Sequence, residues 1–496
     1  MSGSILISKS RYLAGLQCPK RLWLETRKPE LAPPPSPAVE RVLAQGREVG
    51  RRARELFPGG ILLEEDPRRL AEAREAARKA VQGRDRVLFE ASFVHGEAMA
   101  RTDILVRNGD GTWDLLEVKA SNKVKPEHVP DLAFQIRVCE GAGLAVRRAV
   151  LLHLNRDCRY PDLSNLLREE DLSEPVRRQL PELGENLARF RGLLERDEEP
   201  VIRLGSRCFS PGDCPFFEYC ARLWNLPDPS VFDIPRLPAD RRDALIERGI
   251  LRLEDVPPDA ELGGAGERFL RLYRAGTREI DLPAIRAWLG GLRFPIHFLD
   301  FETDGPAVPR LPGLGPYGKI PFQFSLHVLS ADGGLAEAPG FLHQDQGDPR
   351  PAIARALLEQ IGDEGSIVAY NAPFEQGVIG ELAQALPELA EPLGRLTGRF
   401  ADLLDVFRNH YFDPAFKGSN SIKSVLPVLC PDLSYAGLDV RNGQDAQAAW
   451  ARLIAAEDPE EKKRLSKALK EYCGLDTMAM VRLYRSLRDL TDQGPL

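Results

Sequence analysis

The chain has 496 residues, enough for two to four domains at about 100–200 residues each. Lys and Arg total 67 against 74 Asp and Glu, a net charge of −7, and 43% of residues are apolar and 28% charged, a globular and not a disordered profile whose acidity argues against non-specific coating of nucleic acid while leaving room for local basic grooves. With no run of ~18 apolar residues and no apolar signal segment in MSGSILISKS, the expectation is a soluble, cytoplasmic protein whose 8 cysteines are thiols or metal ligands.

In chain order, Leu13, Leu16, Trp23 and Leu24 suggest helical spacing interrupted at Cys18-Pro19, and LAPPPSPAVE reads as a loop. Helical patterns follow over 42–56 and 67–81. VLFEASFV, ARTDILVR and TWDLLEVKAS read as consecutive strands, with turns at Gly96 and NGDGT. HVPDLAFQIRVCEGAG is helix-like, AVLLHLN is a short apolar strand, and 165–200 reads as a charged helix. Strands, helix and strand make an α/β core. Residues 226–292 hold short helical patterns broken by LPDP, LPAD, VPPD and GGAG, and read as a small helical connector. Within it LIERGILRLEDVP is either a helix–Gly–helix DNA-binding piece or a plain linker. A second α/β pattern starts near Phe294, with strands PIHFLDFET, PFQFSLHVL and SIVAYN, helices ALLEQI and FEQGVIGELAQAL, and closing helices over 445–456 and 459–490.

Three sets of residues point to chemistry. Glu117 and Lys119 are two apart on a strand and share one face, and Asp103 lies on the neighbouring strand. Two carboxylates and an ammonium at a sheet edge suit a hard divalent cation and an oriented water, although such groups also line solvated strands. Cys208, Cys214 and Cys220 are spaced C-x5-C-x5-C, with Cys18 far upstream. These spacings are wider than those of structural zinc sites. Four thiolates can hold a cubane cluster, and zinc or unligated core thiols are the alternatives. Cys139, Cys158, Cys430 and Cys473 read as small buried hydrophobes. In the rear half Asp300 and Glu302 share a strand face, Asn371 ends a strand, Glu375 starts a helix, Asp402 follows, and Tyr472 and Asp476 are four apart on a helix. Acidic groups from a strand and two helices can converge on two cations. Ser419, Ser421 and Lys423 sit at a helix start that suits either phosphate binding or ordinary capping.

Residues 1–225 resemble the RecB-like branch of the PD-(D/E)xK nucleases, specifically the members with an iron–sulfur cluster. The resemblance implies a restriction-endonuclease-like core in which Asp103 and Glu117 hold a metal, aided by the Val118 carbonyl, and Lys119 polarises the attacking water. Gln135 matches the first position of the branch's Q-x3-Y element, with Cys139 in place of Tyr. The branch's helical His after a Gly has no counterpart in GREVG, where Glu48 stands. The same resemblance assigns a 4Fe-4S cluster to Cys18, Cys208, Cys214 and Cys220. Residues 293–496 resemble the DEDD superfamily of 3′-to-5′ exonucleases, with an RNase H-like fold. That implies Mg²⁺ or Mn²⁺ on Asp300, Glu302 and Asp476, Glu375 in place of the usual Asp, and Tyr472 positioning the water. Asn371 and Asp402 are accessory.

The whole resembles a bacterial family of uncharacterised proteins that fuse these two modules. The expectation is an α/β multidomain, metal-dependent deoxyribonuclease with domains 1–225, 226–292 and 293–496. DNA is the favoured partner and RNA is open for the rear domain; no membrane is involved. The rival is a non-catalytic or single-site nucleic-acid-binding scaffold in a repair or defence complex.

Overall fold

The computed structural model describes residues 5–63 and 69–492. The chain is a mixed α/β protein of two compact units. One takes in residues up to 35, 39–226 and 306–317; the other takes in 36–38, 227–305 and residues from 318 onward.

The first unit is built on a seven-stranded sheet. Val87–His95 and Ala98–Arg107 form an antiparallel hairpin, and Gly96 turns it at φ 57°, where a side chain would be strained. Trp113–Lys119 adds antiparallel, and Val146–Leu154 lies parallel to it after the crossover helix His128–Gly141. Leu88, Leu105, Leu115, Ala149 and Leu151 pack with Phe134 and Ile136 of that helix. The N-terminal helices Lys9–Gln17 and Pro19–Arg27 break at Cys18, with Pro19 opening the second, where its missing N–H costs nothing. The long charged helix starts at Ser173, not at 165. Residues Leu167–Asp171 instead form an edge strand antiparallel to Val146–Leu154. LREED carries no apolar alternation, so its state is set by the open edge of a buried neighbour.

The second unit holds the connector and the rear sheet. The connector has its own small core of Val231, Ile234, Leu245, Ile246 and Phe269. Helix Ala239–Glu247 precedes Gly249, and no helix resumes until Gly263–Ala275, so the helix–Gly–helix reading fails. The rear sheet runs in the order Leu335–Glu337, Ile320–Leu329, Ile296–Asp304, Ser366–Ala369, Phe400–Asp402. The last three strands are mutually parallel. Alternation along Ile296–Asp304 sends Leu299 and Phe301 into one apolar layer and Ile296 and Phe298 into the other. Gly365 precedes its strand at φ 82°, and a Cβ there would lie 1.9 Å from the Pro295 carbonyl oxygen, so the close pairing of these strands requires glycine. Among the described residues no helix is long and apolar enough to cross a membrane.

Candidate active sites and a cysteine cluster

The rear site lies at the carboxyl ends of the three parallel strands, the usual place for ligands in open α/β sheets. Asp300 and Glu302 occupy the face of Ile296–Asp304 that also carries Phe298, where the apolar stripe turns acidic. Against that face lies the C-terminal helix, Pro459–Asp492. Alternate polar residues of the neighbouring strand hold the helix there. Gln323 donates to the Leu469 carbonyl at 2.9 Å and Ser325 to the Cys473 carbonyl at 2.5 Å, and His327 Nδ1 lies 2.8 Å from the Thr477 hydroxyl. This stitching brings Tyr472 and Asp476 to the strand carboxylates. Glu375 enters from helix Ala372–Ala385, which starts directly after Asn371 in a left-handed conformation at φ 83°.

The sequence expected Asp300, Glu302, Glu375 and Asp476 to converge; the structure sets ligand atoms of Asp300 and Glu302 within 4.8 Å of each other, with Asp476 and Glu375 near enough for their charges to act on that pair. Asp300 feels Asp476 and Glu302, Glu302 feels Asp476 and Glu375, and Glu375 feels Asp300; Glu302, Glu375 and Asp476 are at most 7% exposed. Burial, then the neighbouring carboxylates, pushes Glu302 up to about 8 and Glu375 up to about 9. Asp300 is raised well above the carboxylate range by burial, Asp476 and Glu302. Asp476 rises to about 6 through burial, against the hydrogen bond it accepts from Tyr435 at 2.5 Å. Glu375 Oε2 is buried with no hydrogen-bond partner among the described residues. Asp300 and Glu302, with Asp476 and the orphaned Glu375 oxygen nearby, offer the hard oxygen donors that divalent cations take. Burial and Asp476 push Tyr472 above its ordinary range, which disqualifies its phenol as a neutral-pH base and leaves it as a hydrogen-bond donor.

Three residues here escaped the sequence reading. Cys473, expected as a plain buried hydrophobe, is buried but has its sulfur 3.6 Å from Asp300 Oδ2. Asp300, Glu302 and Cys473 are the one group among the described residues with three ligand atoms all within 4.8 Å. Tyr435 was not singled out. Lys423, read only as part of a helix start, lies over the rings of Tyr435 and Tyr472, 5.3 Å from each centroid. Ser421 caps that helix by accepting from the Lys423 N–H. Asp402 does local work: its Oδ1 accepts from the Asn371 N–H at 2.8 Å and the Leu404 N–H at 3.0 Å, tying two strand ends together.

The front site is assembled on the first unit's sheet. Glu117 and Lys119 do share a face, and Lys119 Nζ donates to Glu117 at 2.7 Å. Asp103 accepts from the Val118 N–H at 2.7 Å. Gln135 donates to Glu117 at 2.7 Å and to Asp131 at 2.9 Å. Two members were missed: Lys9 donates to Glu117 at 2.6 Å, and Asp131 accepts from Lys119 at 2.6 Å. Lys9 comes from the N-terminal helix, 108 residues from its partner. Burial works to raise Glu117, but Lys9 and Lys119 overcome it and hold the carboxylate well below its ordinary range. Asp103 is pushed up to about 7 by burial and by Glu117. Both ammonium groups sit on Glu117 Oε1, while Oε2 accepts only from Gln135 among the described residues, so a cation entering here competes with two lysines at one oxygen and with an amide at the other. Cys139, at the element's Tyr position, is fully buried in the core. Glu48 is 45% exposed and 3.9 Å from Arg51.

The four cysteines of the proposed cluster fall in one neighbourhood of the first unit. Cys220 feels Cys214, Cys208 and Cys18, and burial raises Cys208 and Cys220 to about 11. The Cys214 N–H bonds the Cys208 carbonyl at 2.8 Å, and Gln17, beside Cys18, donates to the carbonyls of Arg207 and Gly212 at 2.8 and 2.7 Å. Trp23, Leu24 and Phe216 supply an apolar wall. No three of the sulfurs lie within 4.8 Å of one another. Tetrahedral zinc, with Zn–S of about 2.3 Å, brings sulfurs to roughly 3.8 Å.

A family model described as a domain of unknown function (DUF2779) matches residues 297–421, from the Asp300 strand to the Ser421 cap and short of Tyr472 and Asp476. No curated protein matches the chain. A solved structure described as "Crystal structure of SSO0001" is 16% identical, with a TM-score of 0.25, covering 45% of this chain and 88% of its own.

Proposed function

We propose that the protein is a metal-dependent nuclease. In this reading the second unit carries a DEDD-type, RNase H-like 3′-to-5′ exonuclease site and the first a RecB-like PD-(D/E)xK site with a 4Fe-4S cluster on Cys18, Cys208, Cys214 and Cys220. The observation that carries it is the convergence of Asp300, Glu302, Glu375 and Asp476 in a buried, mutually repelling set at the strand ends. Folding such a set is costly unless function retains it. Divalent cations held there supply charge neutralisation for a phosphodiester and an acidified water. The chain's own groups do the remaining work. Tyr472 donates a hydrogen bond that orients the nucleophile, and Tyr435 fixes the Asp476 carboxylate. Lys423 places a positive charge beside the carboxylates, on which a phosphate oxygen can rest. DNA is the favoured substrate, with RNA as an arm of the test.

In the first unit Lys119 and Lys9 are both placed to hold the phosphate, and Asp131 and Gln135 fix their partners. The full compensation of Glu117 favours a second reading of this unit alone, as a strand-binding site without cleavage.

The test is digestion of single- and double-stranded DNA and RNA, labelled at either end, with Mg²⁺ or Mn²⁺. Asp300→Ala should lower 3′ digestion by several orders of magnitude, and Tyr472→Phe by about 10²-fold or less with metal affinity retained. Residual cleavage in Asp300→Ala that disappears on adding Asp103→Ala assigns activity to the first unit. If Asp300→Ala digests 3′ ends like the parent, the second unit is a scaffold.

A further inference from the structure

A cavity of about 480 Å³ in the second unit lies where the connector meets the segment that leads into the Lys423 helix. It is within the ~300–1,000 Å³ that small organic ligands fill. We propose that this cleft binds one unpaired nucleotide of a single-stranded nucleic acid, its phosphate on Arg236 and Arg408 and its base against the Arg268–Phe412 layer; the proposal rests on the nuclease reading above.

The lining has the composition such a ligand needs. Arg236, Arg268 and Arg408 line the cleft together with one carboxylate, Asp413, whose Oδ1 is taken by the Ala415 N–H at 2.9 Å. Arg268 pairs with Glu279, and its guanidinium carbon lies 3.3 Å from the centroid of the Phe412 ring, a cation–aromatic pair against which a base can pack. Arg408 reaches Asp405 at 3.4 Å. Arg236 is exposed and has no ion pair or hydrogen bond among the described residues. A planar guanidinium of this kind matches a phosphate in two hydrogen bonds. Asn409, Ser419 and Asn420 add the donors and acceptors that base edges use.

The backbone here is built, not loose. Arg236 sits at φ 55°, a left-handed conformation that is unfavourable for an arginine, between the buried Ile234 and Leu237. Across the cleft Gly418 has φ 68°, and a Cβ there would lie 2.1 Å from the Asp233 carbonyl oxygen. Any larger residue would push the two walls apart.

The cleft also leads to the carboxylates. Asn420 accepts from the Tyr370 hydroxyl at 2.6 Å, and Tyr370 ends the strand beside the Asp300 strand. From Asn420 to Lys423 the chain spans at most ~11 Å, three Cα steps of about 3.8 Å. Lys423 lies over Tyr472. A strand with its 3′ end at the carboxylates therefore runs its preceding nucleotides toward the cleft. A base stacked in a duplex is not free to enter it, so the cleft selects single strands.

The experiment measures binding of a labelled DNA or RNA oligonucleotide to the full chain carrying Asp300→Ala, over a series of salt concentrations. Arg236→Glu combined with Arg408→Ala should weaken binding about tenfold to a hundredfold and lower the salt slope by about 0.7 per arginine lost. Lys467→Ala, an exposed charge on the C-terminal helix, serves as the control and should bind like the parent. Arg268→Leu tests the stack alone and should weaken binding with a smaller change in slope. Unchanged affinity and slope in the Arg236→Glu/Arg408→Ala variant overturns the cleft. Competition by inorganic phosphate or a mononucleotide as strong as by the oligonucleotide also overturns the strand assignment, in favour of a free-nucleotide site. Hydrolysis of the p-nitrophenyl ester of a single nucleotide by the wild-type chain tests the nuclease reading separately, because that substrate carries no preceding nucleotide to place in the cleft. Hydrolysis without any effect of the cleft variants removes the cleft alone; no hydrolysis and no strand binding remove both.

Discussion

Glu375→Gln should make the metal-free protein more stable and the enzyme inactive. In the unfolded chain Glu375 ionises at its ordinary value of 4.5; in the fold burial and Asp300 push it up to about 9. Between those values the folded state binds a proton that the unfolded state has released, so stability falls as pH rises through this window. At about pH 8 the cost is about 5 kcal/mol, and at about pH 5.5 about 1 kcal/mol, taking 1.36 kcal/mol for each pH step. Glutamine keeps the shape and carries no such cost. The substitution should therefore stabilise the second unit by about 3 kcal/mol more at the higher pH than at the lower. For a unit of this size that is roughly 6–12 °C in Tm. Thermal unfolding in chelator, followed by circular dichroism at both pH values, reads the difference. Added Mn²⁺ should raise the Tm of the parent, most at high pH, and of Glu375→Gln much less. A Gln variant that is equally destabilised at both pH values refutes the reasoning, because the carboxylate would then be favourably paired in the fold.

Other outcomes follow from the same packing. Ser325→Ala removes the hydrogen bond to the Cys473 carbonyl and should cost about 1–3 kcal/mol; because it loosens the helix that carries Tyr472 and Asp476, 3′ digestion should fall further than stability alone explains. Lys9→Met strips one ammonium from the buried Glu117 and should destabilise the first unit by about 3 kcal/mol or more, read by urea unfolding, with Mg²⁺ recovering part of the loss if a cation takes its place. Anaerobically purified protein should be brown with bound iron, and Cys214→Ser should bleach it and lower solubility; stoichiometric zinc without iron would refute the cluster.

Local pattern was enough for much of this molecule. The alternation in FPIHFLDFET placed Asp300 and Glu302 on one face, and the spacing of Tyr472 and Asp476 placed both on one side of a helix, because side-chain direction follows from the period of the element. The break at Cys18-Pro19 and the Gly96 turn were equally legible, because proline and glycine act on their own backbone. The partners of those faces were not legible. Lys9 meets Glu117 across 108 residues and Cys473 meets Asp300 across 173. Nothing near Lys9 marks it as different from the other basic residues of its segment. Residues 167–171 became a strand because an open edge was offered to them, and the connector joined the second unit through contacts remote in sequence. Sequence period decides which way a side chain points; only the packing of distant elements decides what it meets there, and so which carboxylates end up neutralised and which are left to repel.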